Sequence, residues 1–218
     1  MRNTKPASGR PPRDAERTRA AILEAATEEF ARHGLGGARV DRISAAAGAN
    51  KRMLYYYFGD KEGLFLAVLE AAYARIRNAE QQLSLVDMPP VESIRKLIRF
   101  TWNYFLEHPE FISLLNSENL HRASHLRRSR RARRLNSPLI ETLGLVLDRG
   151  GREGVFRTGV DPLQLYISIA ALCYFYLSNI HTLSSIFGRD LATAPARSAR
   201  LKHMTDVVLG YLRKEAIS

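Results

Sequence analysis

Apolar residues recur at helical spacing along most of this chain. From Asp14 onward, Ala20, Ala21, Ile22, Ala25, Ala26, Phe30 and Ala31 fall on one face, while Arg17, Arg19, Glu24, Glu28, Glu29 and Arg32 are polar. That pattern predicts an amphipathic helix, with Gly34 at its C-cap. A Gly-rich link, 34–37, leads to a short stretch with Val40, Ile43, Ala46 and Ala47, then a Gly48-Ala49-Asn50 turn, then Lys51 to Phe58. Two short helices therefore flank a glycine turn. Asp60 makes an N-cap for a longer helix through Leu64, Phe65, Val68, Leu69, Ala72, Tyr73 and Ile76.

Farther along, Ile94, Leu97, Ile98, Thr101, Trp102 and Phe105 form an apolar stripe closed by His108-Pro109, and Phe111, Leu114, Leu115 and Asn119 continue it. A helix is expected from Pro138 to Arg149, stopped by Gly150-Gly151. Pro162 suits the first turn of a long, nearly all-apolar helix from Leu163 to about Phe187, and Arg197 to Leu212 closes the chain. No alternating strand pattern of useful length occurs, so the expected fold class is all-α.

Composition narrows the field. The chain has 218 residues, enough for a sizeable core, with 45% hydrophobic and 25% charged residues. No charge-free apolar run reaches the roughly 18 residues of a membrane span, and the basic start has no apolar segment, so the expectation is a cytoplasmic protein with no membrane partner. One cysteine, Cys173, supplies neither an internal disulfide nor a zinc site. Lys+Arg 33 against Asp+Glu 22 leaves a net charge of +11, which favours a polyanionic partner. Residues 1–13, with Arg2, Lys5, Arg10 and Arg13 among prolines and Gly9, read as a disordered basic arm; 14–60 reads as a first domain and 61–218 as a second.

The stretch VDRISAAAGANKRMLYYYFGDK, Val40 to Lys61, is the helix-turn-helix arrangement, whose second helix enters the DNA major groove. Lys51 and Arg52 open that helix and can reach phosphates or guanine edges, while Leu54 and Phe58, four apart, are placed to bury. Tyr55, Tyr56 and Tyr57 offer hydroxyls to phosphate oxygens and ring faces to thymine methyls, and Lys61 can meet a phosphate. Neighbours on a helix differ by about 100°, so at least one tyrosine must pack instead.

From about Arg17 to Phe65 the chain resembles the N-terminal domain of the TetR family of bacterial transcriptional regulators: the alanine pair and Phe30, a glycine, Ile43, the Ala47-Gly48 turn, the Leu54 to Phe58 block and Lys61-Glu62-Gly63-Leu64-Phe65. The remainder is similar mainly in being helical, with Gly154 to Arg157 and Val160-Asp161-Pro162 resembling the family's connector; it is most similar to the subgroup that includes the pyrimidine-utilisation regulators, which names no ligand. The resemblance implies a three-helix DNA-binding domain and a C-terminal ligand-binding and dimerisation domain. It also implies a homodimer on a palindromic double-stranded operator, released by a small-molecule effector. It carries DNA-facing roles onto Lys51, Arg52, Tyr55, Tyr56, Tyr57 and Lys61. Arg39 stands where the family commonly has a capping Thr or Ser; it loses a cap of about 1 kcal/mol and adds a cation near the phosphates. The function expected is a ligand-responsive repressor. A transcriptional activator and a nonspecific architectural DNA-binding protein are the alternatives, and no catalytic dyad points to an enzyme.

Arg127, Arg128, Arg130, Arg131, Arg133 and Arg134 form the densest charge run, read as a solvated face away from the operator rather than a second DNA site. Glu118, His121 and His125 have the spacing for one helical face, but solvated helix-end polar groups are the preferred reading, so no metal or cofactor is expected. Ser93 to Lys96 matches a serine acyl-enzyme pattern without its partner motifs. Trp102, Phe105, Phe111, Leu115, Asn119, Cys173 and Tyr174 are candidates for an effector pocket, ordinary core packing being the alternative for each. The last two helices, from Leu163 and to Leu212, are the expected dimer interface.

Overall fold

The computed structural model describes residues 12–214, with side chains for 14–131, 134 and 138–214. The arm expected over 1–13 lies outside the described residues except that the backbone of Pro12 and Arg13 opens the first helix. In order, the helices are α1 (Pro12–Gly37), α2 (Val40–Ala46), α3 (Lys51–Phe58), α4 (Lys61–Gln81), α5 (Pro90–Glu107), α6 (Pro109–Leu120), α7 (Arg130–Arg152), α8 (Pro162–Ser178), α9 (Ile180–Phe187) and α10 (Ala194–Leu212). Single 3₁₀ turns occupy Leu85–Asp87 and Leu126–Arg128. No strand occurs among the described residues; Phe156 and Arg213 form an isolated bridge.

The predicted stripes pack α1 to α4 together. Ile22, Phe30, Ile43, Leu54, Leu64 and Phe65 are completely buried, and Phe30 meets Phe65 edge-on at 5.1 Å between ring centres. Asn50 Oδ1 caps α3 by accepting from the Met53 amide at 3.2 Å, and Asp60 Oδ1 caps α4 through the Gly63 amide at 2.6 Å. At Gly34 (φ 61°) the backbone leaves helical geometry, as the sequence predicted, although a further turn carries α1 to Gly37. The kink frees the Leu35 amide, which donates to Ser117 Oγ of α6 at 3.2 Å and so fastens the DNA-binding unit to the C-terminal helices.

Two further cores lie among α5 to α10, one around Leu97, Leu143, Phe156, Ile169 and Leu212, the other around Trp102, Phe105, Cys173 and Met204. Three expectations need correction here. The helix expected over 138–149 starts at Arg130, carries Pro138 inside it and passes through Gly150-Gly151 to Arg152. Gly150 serves contact rather than termination: a Cβ there would lie 2.1 Å from the ring of Phe156, which folds back onto it. The long helix expected over 163–187 is two helices, bent by 67° about Asn179. Asn179 Nδ2 donates to the Phe175 carbonyl at 2.9 Å, a local bond that competes with helix continuation, and Tyr176 donates to the Leu191 carbonyl at 2.9 Å, tying the chain after α9 back to α8. Among the described residues no single helix is long and apolar enough to cross a membrane; α8 and α9 reach that composition only as the bent pair.

Candidate nucleic-acid interface and effector pocket

The α2–α3 unit presents its cations and phenols outward. Leu54 is buried, whereas Lys51, Arg52, Tyr55 and Tyr56 are exposed, Tyr56 at 81%. Tyr57 is half-buried and meets the rings of both Tyr56 and Phe58 edge-on, so it is the tyrosine that packs most. Phe58 is only partly covered, by Arg19, whose guanidinium lies 5.2 Å from the ring centre, so the expectation that it buries as Leu54 does is too strong. Lys51 pairs with Asp41 in solvent, a contact weak enough to exchange for a phosphate. Lys61 Nζ donates to the Gly36 carbonyl at 3.4 Å.

Arg39 makes no side-chain cap, as its chemistry requires, and a remote carboxylate replaces it. Glu29 Oε1 accepts from the Arg39 amide at 2.9 Å and from Arg42 Nε at 2.8 Å. Burial alone would raise the Glu29 carboxyl, but the Arg39 amide and the Arg42 guanidinium outweigh it and hold the group below its ordinary value. Arg42 is therefore committed to α1, while the Arg39 side chain is exposed. Glu29→Ala is expected to lower stability by about 0.5–2 kcal/mol, the worth of a helix cap. A depressed carboxyl contributes above its unfolded pKa and loses that contribution as pH falls through its folded value, so thermal melts of variant and wild type should converge in acid.

A cavity of about 570 Å³ lies among α4, α5, α6, α7 and α8. Of the seven expected lining residues, Phe105, Phe111, Leu115, Asn119 and Tyr174 border it. Trp102 and Cys173 do not. Trp102 packs on Tyr176 at 5.7 Å, and Cys173 lies fully buried in the core, because α8 turns Tyr166, Ala170 and Tyr174 toward the cavity and Leu165, Ile169 and Cys173 away from it. Burial pushes the Cys173 thiol up to about 12, which suits packing and not reactivity. Asn119 is exposed at the rim, and the amide that satisfies the Tyr174 hydroxyl is Asn116, which also donates to Ser178 Oγ at 3.2 Å.

The sequence reading missed the polar lining: Tyr73, Arg77, Glu118 and Tyr166. Arg77, only 5% exposed, pairs with Glu80 and donates to the Tyr166 hydroxyl at 2.6 Å. Its visible signal was a charge beside Ile76 on the inward stripe of α4. Burial pushes the Glu80 carboxyl up to about 7 against the pull of Arg77, and burial raises the Tyr73 and Tyr166 hydroxyls, which stay protonated. Glu118 touches the cavity and holds the turn after α6. Its Oε1 accepts from the amides of His125 and Leu126, each at 2.9 Å, and its Oε2 lies 2.7 Å from His125 Nδ1. The His125 ring in turn meets Phe65 of the helix-turn-helix core edge-on at 5.2 Å. Glu118 and His125 thus meet as this pair, while His121 Nδ1 lies 2.7 Å from the Ser117 carbonyl; among the described residues no three His, Cys, Asp or Glu side chains converge as metal ligands.

A short helix pair with an outward, cation-opened second helix, joined to a helical unit with its own polar-studded cavity, defines a helix-turn-helix regulator with an effector domain. Comparison with known proteins agrees. The family described as bacterial regulatory proteins, tetR family, matches residues 22–68, and the tetracyclin repressor-like C-terminal domain matches 90–208. The HTH-type transcriptional repressor NicS of Pseudomonas putida is 42% identical over 200 residues, covering 92% of this chain and 94% of its own. Among solved structures, a TetR family transcription regulator from Marinobacter aquaeolei superposes with a TM-score of 0.68 at 22% identity over 93% of this chain and 99% of its own. The Streptomyces coelicolor regulator SCO4942 does so at 0.66 and 26% identity over 89% and 98%. The chain belongs to the TetR family of DNA-binding transcriptional regulators.

Proposed function

We propose that this protein is a ligand-responsive transcriptional repressor acting in the cytoplasm rather than an enzyme. It binds a palindromic operator as a homodimer and releases it when a small molecule fills the cavity. Residues 14–60 form the DNA-binding domain, with Arg39, Lys51, Arg52, Tyr55, Tyr56, Tyr57 and Lys61 toward the operator, and 61–218 carries effector binding and dimerisation. The observation that carries this reading is Glu118: it borders the cavity, and its carboxylate anchors the turn whose His125 packs on Phe65 of α4, the ring that meets Phe30 in the core of the DNA-binding domain. A ligand that displaces Glu118 acts on a contact shared with the helix-turn-helix, which is the two-state coupling a released repressor needs. The repressor names of full-length relatives such as NicS support the sign of control.

Dimerisation uses α8 and α10. Leu163, Ile167 and Phe175 on α8 and Val207 and Tyr211 on α10 are large apolar side chains left about half exposed, which favours their burial against a partner. Two such faces form the self-complementary four-helix contact of a twofold dimer, and the twofold sets the two α3 helices against major grooves about 34–36 Å apart.

Selection of bound sequences from a random duplex pool tests the reading. The wild type should enrich a palindrome, and a Lys51→Ala/Tyr56→Ala variant should lose it while keeping its melting temperature, with specific affinity falling about 10- to 100-fold. Enrichment of no motif, with only salt-sensitive binding, would replace the repressor by an architectural DNA-binding protein.

A further inference from the structure

We propose that the basic turn between α6 and α7, built on Arg122, Arg127 and Arg128, is a second phosphate-binding surface that grips the DNA backbone flanking the operator. By sequence distance this arginine-rich segment belongs to the effector domain. In space it does not lie apart from the DNA-binding unit: Arg128 and His121 line the same surface depression, about 520 Å³, as Lys61 and Gly36. Lys61 opens α4 at the edge of the α3 face, so a duplex lying on α3 and Lys61 continues past this depression. The inference rests on that reading of α3.

The charges there are not neutralised by acids. Arg122, Arg127 and Arg128 are exposed, and among the described residues none has a carboxylate within 4 Å. Arg131, farther along, is spent on Glu70 at 4.0 Å. The one acid in the depression is the exposed Glu62, outnumbered by Lys61 and Arg128 within the lining alone. Exposed cations without carboxylate partners, beside a cation already read as a phosphate contact, match the evenly spaced charge of a duplex, and guanidinium forks match phosphate oxygens.

The turn is also pre-ordered. Glu118 holds the amides of His125 and Leu126, the Arg127 guanidinium donates to the Arg122 carbonyl, and the Arg127 amide donates to the Ala123 carbonyl at 3.0 Å. Arg122 and Ala123 sit at φ 55° and 56°, a left-handed conformation non-glycine residues adopt at a cost. These residues reverse the chain directly after α6, and the turn they open brings Arg128 into the depression that Lys61 lines. Cations fixed in advance lose less entropy on binding.

The test uses the full-length protein and its selected operator as two duplexes, one of core length and one extended by about one helical turn, ~10 bp, on each side. The wild type should bind the extended duplex several-fold more tightly, with a salt dependence steeper by about 0.9 in log–log slope for each added phosphate contact. Arg122→Gln/Arg127→Gln/Arg128→Gln should bind both duplexes with the wild type's core affinity, and the triple lysine variant should keep most of the salt slope, separating charge from folding. Equal affinity of wild type for both duplexes, or a glutamine variant that retains the gain, overturns the proposal. So does stabilisation by inorganic phosphate that needs these arginines when the flanks add nothing, which would make this a free-anion site. Failure of the underlying reading looks different: neither duplex is bound specifically, and Lys51→Ala/Tyr56→Ala binds as the wild type does.

Discussion

Arg77→Met should cost about 3–5 kcal/mol of stability above neutral pH, the loss typical of a buried ion pair deprived of one partner. Arg77 and Glu80 are almost wholly shielded from water; Arg77 donates to Glu80 Oε2, and Oε1 has no hydrogen-bond partner among the described residues, so the carboxylate has nothing to replace the guanidinium. The loss should depend on pH. Burial holds the folded Glu80 carboxyl near 7, above its unfolded value, so the native state favours the acid form. That contribution is complete below the ordinary carboxylate range and is lost as pH rises through about 7. Without Arg77 the folded value climbs further, because the cation that pulls it down is gone, while the neighbouring Tyr166 is a neutral phenol. Urea unfolding at about pH 5 and about pH 8 should therefore show a small loss in acid and the full loss in base. Arg77→Met/Glu80→Leu should recover most of it. A loss equal at both pH values, or no recovery in the double variant, would mean that Arg77 stabilises by packing alone.

Arg77 also marks what the sequence could and could not disclose. Periodicity located the helices around the DNA-binding unit closely, because caps such as Asp60 and the Gly48-Ala49-Asn50 turn act within a few residues. The α3 face was legible for the same reason: a helix of eight residues with Leu54 inward leaves Lys51, Arg52, Tyr55 and Tyr56 little choice. The cavity was legible only in part. Aromatic and apolar residues of α5, α6 and α8 look alike whether they border a cavity or fill a core, and only the rotation of α8 against its neighbours separates Tyr174 from Cys173. The break at Asn179 was hidden in a continuous apolar run, since it is decided by side-chain bonds to the backbone and by what packs there afterwards. The place of the arginine turn beside Lys61 was hidden too, because it follows from α6 docking on α1 through Ser117, a contact 82 residues apart in the chain.

Gly63→Ala should damage operator binding more than its size suggests. Gly63 lies in the first turn of α4, and a Cβ there would stand 2.2 Å from the carbonyl oxygen of Phe58, the last residue of α3, and 3.3 Å from the capping Asp60 Oδ1. The obstacle is backbone, so no side chain can turn aside: either α3 moves away from α4 or the Asp60 cap opens. The first tilts the helix that carries Lys51, Arg52 and Tyr56. Overpacking of this kind costs about 1–3 kcal/mol. If the strain is relieved by moving α3, operator affinity should fall about 10- to 100-fold, since two recognition helices must keep their spacing at once. Effector binding should persist, because the cavity draws nothing from α3. Gly36→Ala is the matched control: a Cβ there meets nothing within 4 Å, and its affinity should stay near wild type. Wild-type operator affinity in Gly63→Ala, with an unchanged melting temperature, would show that α3 and α4 have slack at this joint and that the glycine is not what sets the pose of the recognition helix.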